Sequence, residues 1–149
     1  MSPAEVVRVE TRTAASPERV WQLLADPYTW AHWVAGTSAI RAADAHWPAS
    51  GARLYHRFGP RPLAVRGHTT VVDVDPARRM GLLASALPYG LVRIEITVAQ
   101  AAGRTRVELC EQLVGGLGMR LPHLSRAIQL ARNRRSLDRL IELAERGRR

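Results

Sequence analysis

Lysine is absent from this sequence, and cysteine and phenylalanine occur once each. With Cys110 alone, no intrachain disulfide can form, which suits a reducing compartment. No apolar run approaches the roughly 18 residues that cross a bilayer, so stable membrane insertion is not expected. Residues 1–5 show no basic segment leading into an apolar one, so no signal peptide is expected and a cytoplasmic location is. The strong signatures of catalysis are missing as well: there is no H-E-x-x-H, C-x-x-C, G-x-S-x-G or phosphate loop. His32, His46, His56, His68 and His123 are scattered rather than clustered at ligand spacing, so neither a metal nor a cofactor is expected.

What is present fits one globular domain over 1–149, because 149 residues with 46% hydrophobic content can bury a core without a staple. The net charge of +9 is carried by arginine alone and is uneven. Between 120 and 149, nine arginines face only Asp138, Glu142 and Glu145. A basic helix can attract phosphates or anionic lipid, but it can equally be a solvated outer face. The exclusive use of arginine in an alanine-rich text reads as compositional bias. No specific nucleic-acid partner is therefore expected, and the chain is expected to be a monomer or homodimer.

Val7, Val9 and Thr11 alternate with Arg8, Glu10 and Arg12, the period of a strand. Ser16 then offers an N-cap, Pro17 suits the first helical position, and Asp26-Pro27 ends the short helix. Arg19 stands where a capping box would place Glu. A second short helix is expected over 27–35, stopped by Gly36. Strands follow near 38–46, 53–58, 63–74, 79–85, 91–100 and 104–113, punctuated by glycine and proline. The last pair is clearest: Val92, Ile94, Ile96 and Val98 alternate with Arg93, Glu95 and Thr97, so each strand has a wet and a dry face. Gly115 to Gly118 reads as a turn, and a long helix should run over 120–146. Its apolar stripe would hold Leu124, Ile128 and Ala131, then Leu130, Leu137, Leu140, Ile141 and Ala144. Continuous strands followed by a helix make an α+β protein.

This order and its punctuation resemble the START-like helix-grip superfamily (SRPBCC), in particular its polyketide cyclase/dehydrase-type branch. The resemblance rests on Ala15-Ser16-Pro17-Glu18-Arg19-Val20-Trp21 with Leu24-Ala25-Asp26, on Trp30 and Trp33, and on Trp47-Pro48 with Gly51. Asp75-Pro76-Ala77-Arg78-Arg79, Gly103-Arg104-Thr105-Arg106-Val107 and Ala131-Arg132-Asn133-Arg134-Arg135-Ser136-Leu137 complete it. It implies a curved seven-stranded antiparallel sheet wrapped around the long C-terminal helix, two short helices between strands 1 and 2, and a cavity between sheet and helix. The superfamily holds aromatase/cyclases, lipid carriers, receptors and co-chaperones, with no shared catalytic motif to carry over.

The informative positions are polar residues in the apolar phase of strands. Glu111 falls in register with Val107, Leu109 and Leu113, so it should face the cavity. A buried carboxylate needs a partner or stays protonated. Glu111 is thus either paired with a cavity Arg or His, turned outward by a bulge, or a ligand contact and general acid. His56, between Leu54 and Phe58, should point the same way, either as a satisfied core histidine or as a ligand or proton-transfer group. A simple turn at Gly59 to Pro62 would pair His56 with Val65 and His68 with Arg53. The expected cavity wall comprises Trp33, His56, Phe58, His68, Tyr89, Ile94, Ile96, Leu109 and Glu111. Leu121, Leu124 and Ile128 would form its floor. Trp30 and Trp33 serve as core packing or as a wall, Tyr89 brings a hydroxyl to the rim, His123 stands at the entrance, and Cys110 faces away.

Three functions fit these residues. The first is binding or transport of a small hydrophobic or aromatic molecule, from an apolar pocket with few polar groups. The second is a polyketide cyclase/dehydratase-type enzyme with Glu111 and His56 as acid/base pair, provided both reach one ligand atom. The third is an interaction module that uses the basic C-terminal helix on nucleic acid or an anionic surface.

Overall fold

A computed structural model describes residues 5–146; Arg148 and Arg149 of the basic run and residues 1–4 lie outside it. Strand β1 (Val6–Thr13) leads into α1 (Pro17–Ala25), a 3-10 turn (Pro27–Thr29) and α2 (Trp30–Trp33). Then come β2 (Thr37–Ala43), β3 (Arg53–Phe58), β4 (Val65–Asp75), β5 (Arg79–Ala86), β6 (Gly90–Ala101) and β7 (Arg104–Gly115). A 3-10 turn (Leu117–Arg120) precedes α3 (Pro122–Arg146). The seven strands form one antiparallel sheet in the order β1-β7-β6-β5-β4-β3-β2. Consecutive strands β1 and β2 therefore hold opposite edges, and the segment with α1 and α2 passes from one edge to the other. Register shifts in the β2–β3, β4–β5 and β6–β7 pairings are the local irregularities that bend a sheet. The whole is the α+β helix-grip architecture.

The junctions are built by local hydrogen bonds. Ser16 caps α1 by accepting from the Arg19 amide at 3.1 Å, with Pro17 just inside the helix. Asp26 ends α1 and its side chain accepts from the Tyr28 amide, which opens the 3-10 turn. That ending leaves the Leu24 carbonyl without a helical partner. The indole N–H groups of Trp30 and Trp47 both donate to it, at 3.1 and 3.2 Å. Trp30 lies 5.4 Å edge-on from Trp47 and 4.7 Å from Trp33, so three indoles form one buried block. The Arg19 guanidinium, unable to serve a capping box, instead donates to the Leu143 and Ala144 carbonyls in the last turns of α3. Thr13 donates to Glu145 at 2.8 Å, and Ser136 of α3 accepts from the Ala35 amide at 2.9 Å. Helix α3 is thus tied to β1, α1 and the end of α2. Its Leu137, Leu140 and Ala144 share a core with Val9, Val20, Leu24 and Val107.

Three expectations need correction. The second short helix is a 3-10 turn followed by a four-residue helix, not one helix over 27–35. Strand β4 starts at Val65 rather than 63, because Pro60 and Pro62 keep the chain in a six-residue loop over 59–64. His56 therefore pairs with Gly67, and Tyr55 with His68, two residues on from the simple turn's register. On α3, Ala131 is exposed, and Gln129, Asn133 and Ser136 are buried in its place. The face of α3 turned to the sheet is polar in its middle, which hydrophobic periodicity cannot register.

Gly67 is where the inner wall is tightest. A Cβ there would overlap the Ser85 carbonyl oxygen and come within 2.9 Å of His56 Cε1. Gly67→Ala is expected to cost about 1–3 kcal/mol by overpacking against backbone. Urea denaturation would read this as a lower midpoint at unchanged slope. An unchanged midpoint would mean that β4 and β5 part freely at this point.

Candidate functional site

Between the sheet and α3 lies a cavity of about 490 Å³. The sheet supplies Leu54, His56, Phe58 and Thr69 from β3 and β4, and Ile94, Ile96, Leu109, Glu111 and Leu113 from β6 and β7. Trp30, Trp33 and Val34 close it on the α2 side. Helix α3 contributes one continuous face: Leu124, Ser125, Ile128, Gln129, Arg132, Asn133 and Ser136, with Leu121 just before its first turn. These positions recur at three- and four-residue intervals, as one side of a helix must. Trp30 and Trp33 are at once core and wall.

Glu111 sits inward on β7 with 3% of its surface exposed. Arg132 Nη2 donates to its Oε1 at 2.6 Å, which joins the sheet to α3 across the cavity. Desolvation by burial raises the Glu111 pKa above the usual carboxylate value. The Arg132 charge and hydrogen bond, and the nearby Asn133, oppose that rise without cancelling it. Arg132 also stacks its guanidinium 5.1 Å from the centre of the Phe58 ring. Phe58 also packs against Gly36, whose φ of +95° and absent Cβ make room for the ring. A β-carbon there would come within 2.6 Å of the ring.

His56 is buried on β3, with Nε2 3.2 Å from the Thr69 hydroxyl. Burial, and then the charges of His68 and Arg41, lower its pKa to about 4, so the imidazole is neutral at physiological pH. Two buried polar atoms of residues that line the cavity, Trp33 Nε1 and His56 Nδ1, have no protein partner.

The structure brings together Trp33, His56, Phe58, Tyr89, Ile94, Ile96, Leu109, Glu111, Leu121, Leu124 and Ile128 around this one space. His68 is not among them. The β4 residues that face inward are Gly67, Thr69 and Val71, so strand alternation sends His68 to the outer face, 6.4 Å from the Tyr55 ring. Leu121, Leu124 and Ile128 are more than half exposed, so they form the mouth rather than a floor. Tyr89 lines the rim, but its hydroxyl is committed to the Leu63 carbonyl at 2.7 Å. His123 is exposed and does not line the cavity. Cys110 lies on the outer face beside Glu108. Glu111 and His56 share the inner face but stand four strands apart, roughly 19 Å along the sheet at about 4.8 Å per step. No hydrogen bond joins them; each has a nearer partner.

Sequence reasoning missed Arg132, Gln129, Asn133 and Ser136. A signal existed: Arg132 follows Leu124 and Ile128 at four-residue steps, on the face those two residues define. It was hidden inside the run Arg132-Asn133-Arg134-Arg135, which reads as solvated charge.

Residues 4–145 match the family model described as polyketide cyclase / dehydrase and lipid transport. The chain belongs to this family. Solved structures with the same fold include the ZhuI aromatase/cyclase from Streptomyces sp. R1128, at 21% identity and a TM-score of 0.73 over 97% of this chain and 96% of that one. TTHA0849 from Thermus thermophilus is 17% identical with a TM-score of 0.76, covering 97% and 100%. DynU16, a protein of the dynemicin biosynthetic locus, is 23% identical with a TM-score of 0.70. This chain aligns over 97% of its own length and spans 49% of DynU16. No curated protein matches the sequence. Within the family's fold, the Glu111–Arg132 pair with Asn133 beside it, and the unpartnered nitrogens of Trp33 and His56, give this cavity its chemical character.

The histidine gives a pH test. Folded His56 takes up its proton near pH 4, whereas an unfolded histidine does so near the ordinary 6.5. Between these values the unfolded chain binds more protons, so stability contributed by neutral His56 is complete above pH 6.5 and is lost as pH falls towards 4. Glu111 slopes the other way above its unfolded pKa, since its proton is favoured in the fold. Comparing the parent with His56→Gln isolates the histidine. The parent is expected to lose up to about 3 kcal/mol more than the variant between pH 6.5 and 4. Parallel stability curves from denaturant titrations would refute a neutral, buried His56.

Proposed function

We propose that this protein binds a small, mainly apolar or aromatic molecule that carries at least one hydrogen-bonding oxygen. The observation that carries the reading is a mainly apolar cavity whose lining includes Trp33 and His56, each with a buried nitrogen that no protein group satisfies. An indole N–H is a donor and nothing else, so Trp33 Nε1 calls for an acceptor. Neutral His56 can accept or donate a hydrogen bond at Nδ1 according to its tautomer. Buried polar groups rarely go unpaired, and leaving one so costs about 1–3 kcal/mol. A cavity of this size also falls within the range of small-molecule pockets, about 300–1,000 Å³. The family description, which joins cyclases to lipid transport, supports a small ligand without naming it. We place the protein in the cytoplasm as a monomer or homodimer without a specific nucleic-acid partner. No helix among the described residues is long and apolar enough to cross a membrane.

Native mass spectrometry of freshly purified protein, followed by denaturation, tests the reading directly by identifying any stoichiometric small molecule. Titration of aromatic ketones and matched hydrocarbons, followed by tryptophan fluorescence, then tests the polar contacts. Trp33→Phe should weaken ketone binding about 3- to 10-fold while leaving the hydrocarbon within a factor of about two. Equal losses for both probes would assign Trp33 to shape alone.

A second reading is favoured by one observation, the inward carboxyl group of Glu111 on the cavity wall, whose pKa burial raises. A carboxyl group so placed can exchange a proton with a ligand carbonyl and promote intramolecular aldol closure of a poly-carbonyl chain held in the cavity. The structural likeness to an aromatase/cyclase points the same way. Under this reading Glu111→Gln should slow cyclisation of a linear poly-carbonyl thioester at least about 100-fold with its affinity retained. Equal product formation with parent, variant and no protein would leave binding as the whole function.

A further inference from the structure

We propose that the mouth of the cavity docks reversibly onto an anionic lipid surface. Three segments converge there. Tyr89 donates to the Leu63 carbonyl, the Leu117 amide donates to Pro88, and the Gly118 amide donates to Tyr89. The loops over 59–64 and 87–89 and the turn before α3 are thereby joined around one opening. They expose Leu63, Leu87, Leu117 and Met119 to solvent. The start of α3 adds Leu121, Leu124 and Ile128, exposed at 60%, 55% and 52% while lining the cavity. Most of the large apolar side chains exposed among the described residues stand at this one end. A contiguous apolar patch rimmed by polar residues marks a contact surface.

Charge selects the occupant. Segments 59–64, 87–90 and 116–128 contain Arg61, Arg120, His123 and Arg126 and no acidic residue. Glu5 meets Arg126 at 3.2 Å and offsets only that one charge. An apolar ring inside a cationic rim matches a bilayer interface, with aliphatic side chains at the acyl boundary and arginines among anionic headgroups. A second copy placed mouth to mouth would bring the arginines of both copies together. The exposed set is aliphatic rather than aromatic, so it offers no stacking platform for nucleic-acid bases. Docked this way, the cavity opens into the bilayer, and an apolar ligand passes between the two without crossing water. The docking does not require the ligand-binding reading.

Co-flotation with vesicles tests it, using phosphatidylcholine alone and with about one third phosphatidylglycerol. At low salt the full chain should float at least about tenfold more with the anionic vesicles, and approaching about 1 M NaCl should release it as the Debye length shrinks to about 3 Å. Arg61→Glu with Arg120→Glu, and separately Leu121→Gln with Leu124→Gln, should each reduce floated protein at least about fivefold. Val72→Gln, an exposed apolar residue on the outer face of β4, should change nothing. All these side chains are exposed, and matching thermal melts would confirm intact folds. No flotation on anionic vesicles, or equal flotation on both kinds, would overturn the proposal. So would a dimer, seen by light scattering, that the paired leucine substitutions return to monomer. Ligand titration of the same samples separates the two readings: failed flotation with intact ketone binding refutes the docking and leaves the pocket.

Discussion

A carboxylate and a guanidinium held 2.6 Å apart, inside a protein of modest size, set the terms for everything around them. Glu111 belongs to the sheet and Arg132 to α3, so the pair fixes how far the helix stands from the strands at that level. Glu111 is buried and Arg132 partly exposed, so it is removal of Arg132 that would strand a buried charge, at a cost of up to about 3–5 kcal/mol. A sheet and helix joined only by leucines would gain by closing on each other. Here a polar contact with defined length spans the gap, and the cavity lies around it. Phe58 and Gly36 complete the arrangement, because the guanidinium needs a flat face to lie on and the ring needs a backbone with no Cβ beside it.

The rest of the frame keeps α3 in position for that contact. Its C-terminal carbonyls receive Arg19, Glu145 receives Thr13, and Ser136 receives the Ala35 amide. These ties gather at the C-terminal half, where Leu137, Leu140 and Ala144 are fully packed. The N-terminal half has few of them and carries the exposed leucines. The helix is therefore anchored at one end and forms the rim of an opening at the other.

Alternation and punctuation made most of this frame legible. Strand periodicity placed Glu111, His56 and Phe58 on the inner face, and Ser16, Pro17 and Asp26-Pro27 marked the limits of α1. The seven strands and their order along the chain followed from the same signals. What stayed hidden had specific causes. His68 was misplaced because one residue of phase separates it from Thr69; the two-residue shift in register at the loop with Pro60 and Pro62 leaves the faces unchanged. Arg132 was hidden because a charged residue in an arginine-rich helix looks solvated until the carboxylate opposite it is located. Asn133 and Ser136 were hidden because a buried polar stripe on a helix has no hydrophobic period. The polar features that define the cavity are thus the ones that pattern-reading of single elements cannot see, since each exists only between two elements.

Polarity varies along the cavity, and this constrains what it can hold. Towards and along α3 the lining runs from Leu121, Leu124 and Ile128 to Gln129, Arg132, Asn133 and Ser136. The first group meets solvent, and Gln129, Asn133 and Ser136 are almost fully buried. A ligand with its oxygen at one end and hydrocarbon at the other would enter oxygen first, leaving its apolar part among leucines. The reverse orientation would strand a polar group among leucines at the mouth and press hydrocarbon against the Glu111–Arg132 ion pair. Desolvation without a compensating hydrogen bond penalises that arrangement at both ends. The same gradient serves either function. It orients a carried molecule, and it brings the leading oxygen of a reactive one to the Glu111–Arg132 pair.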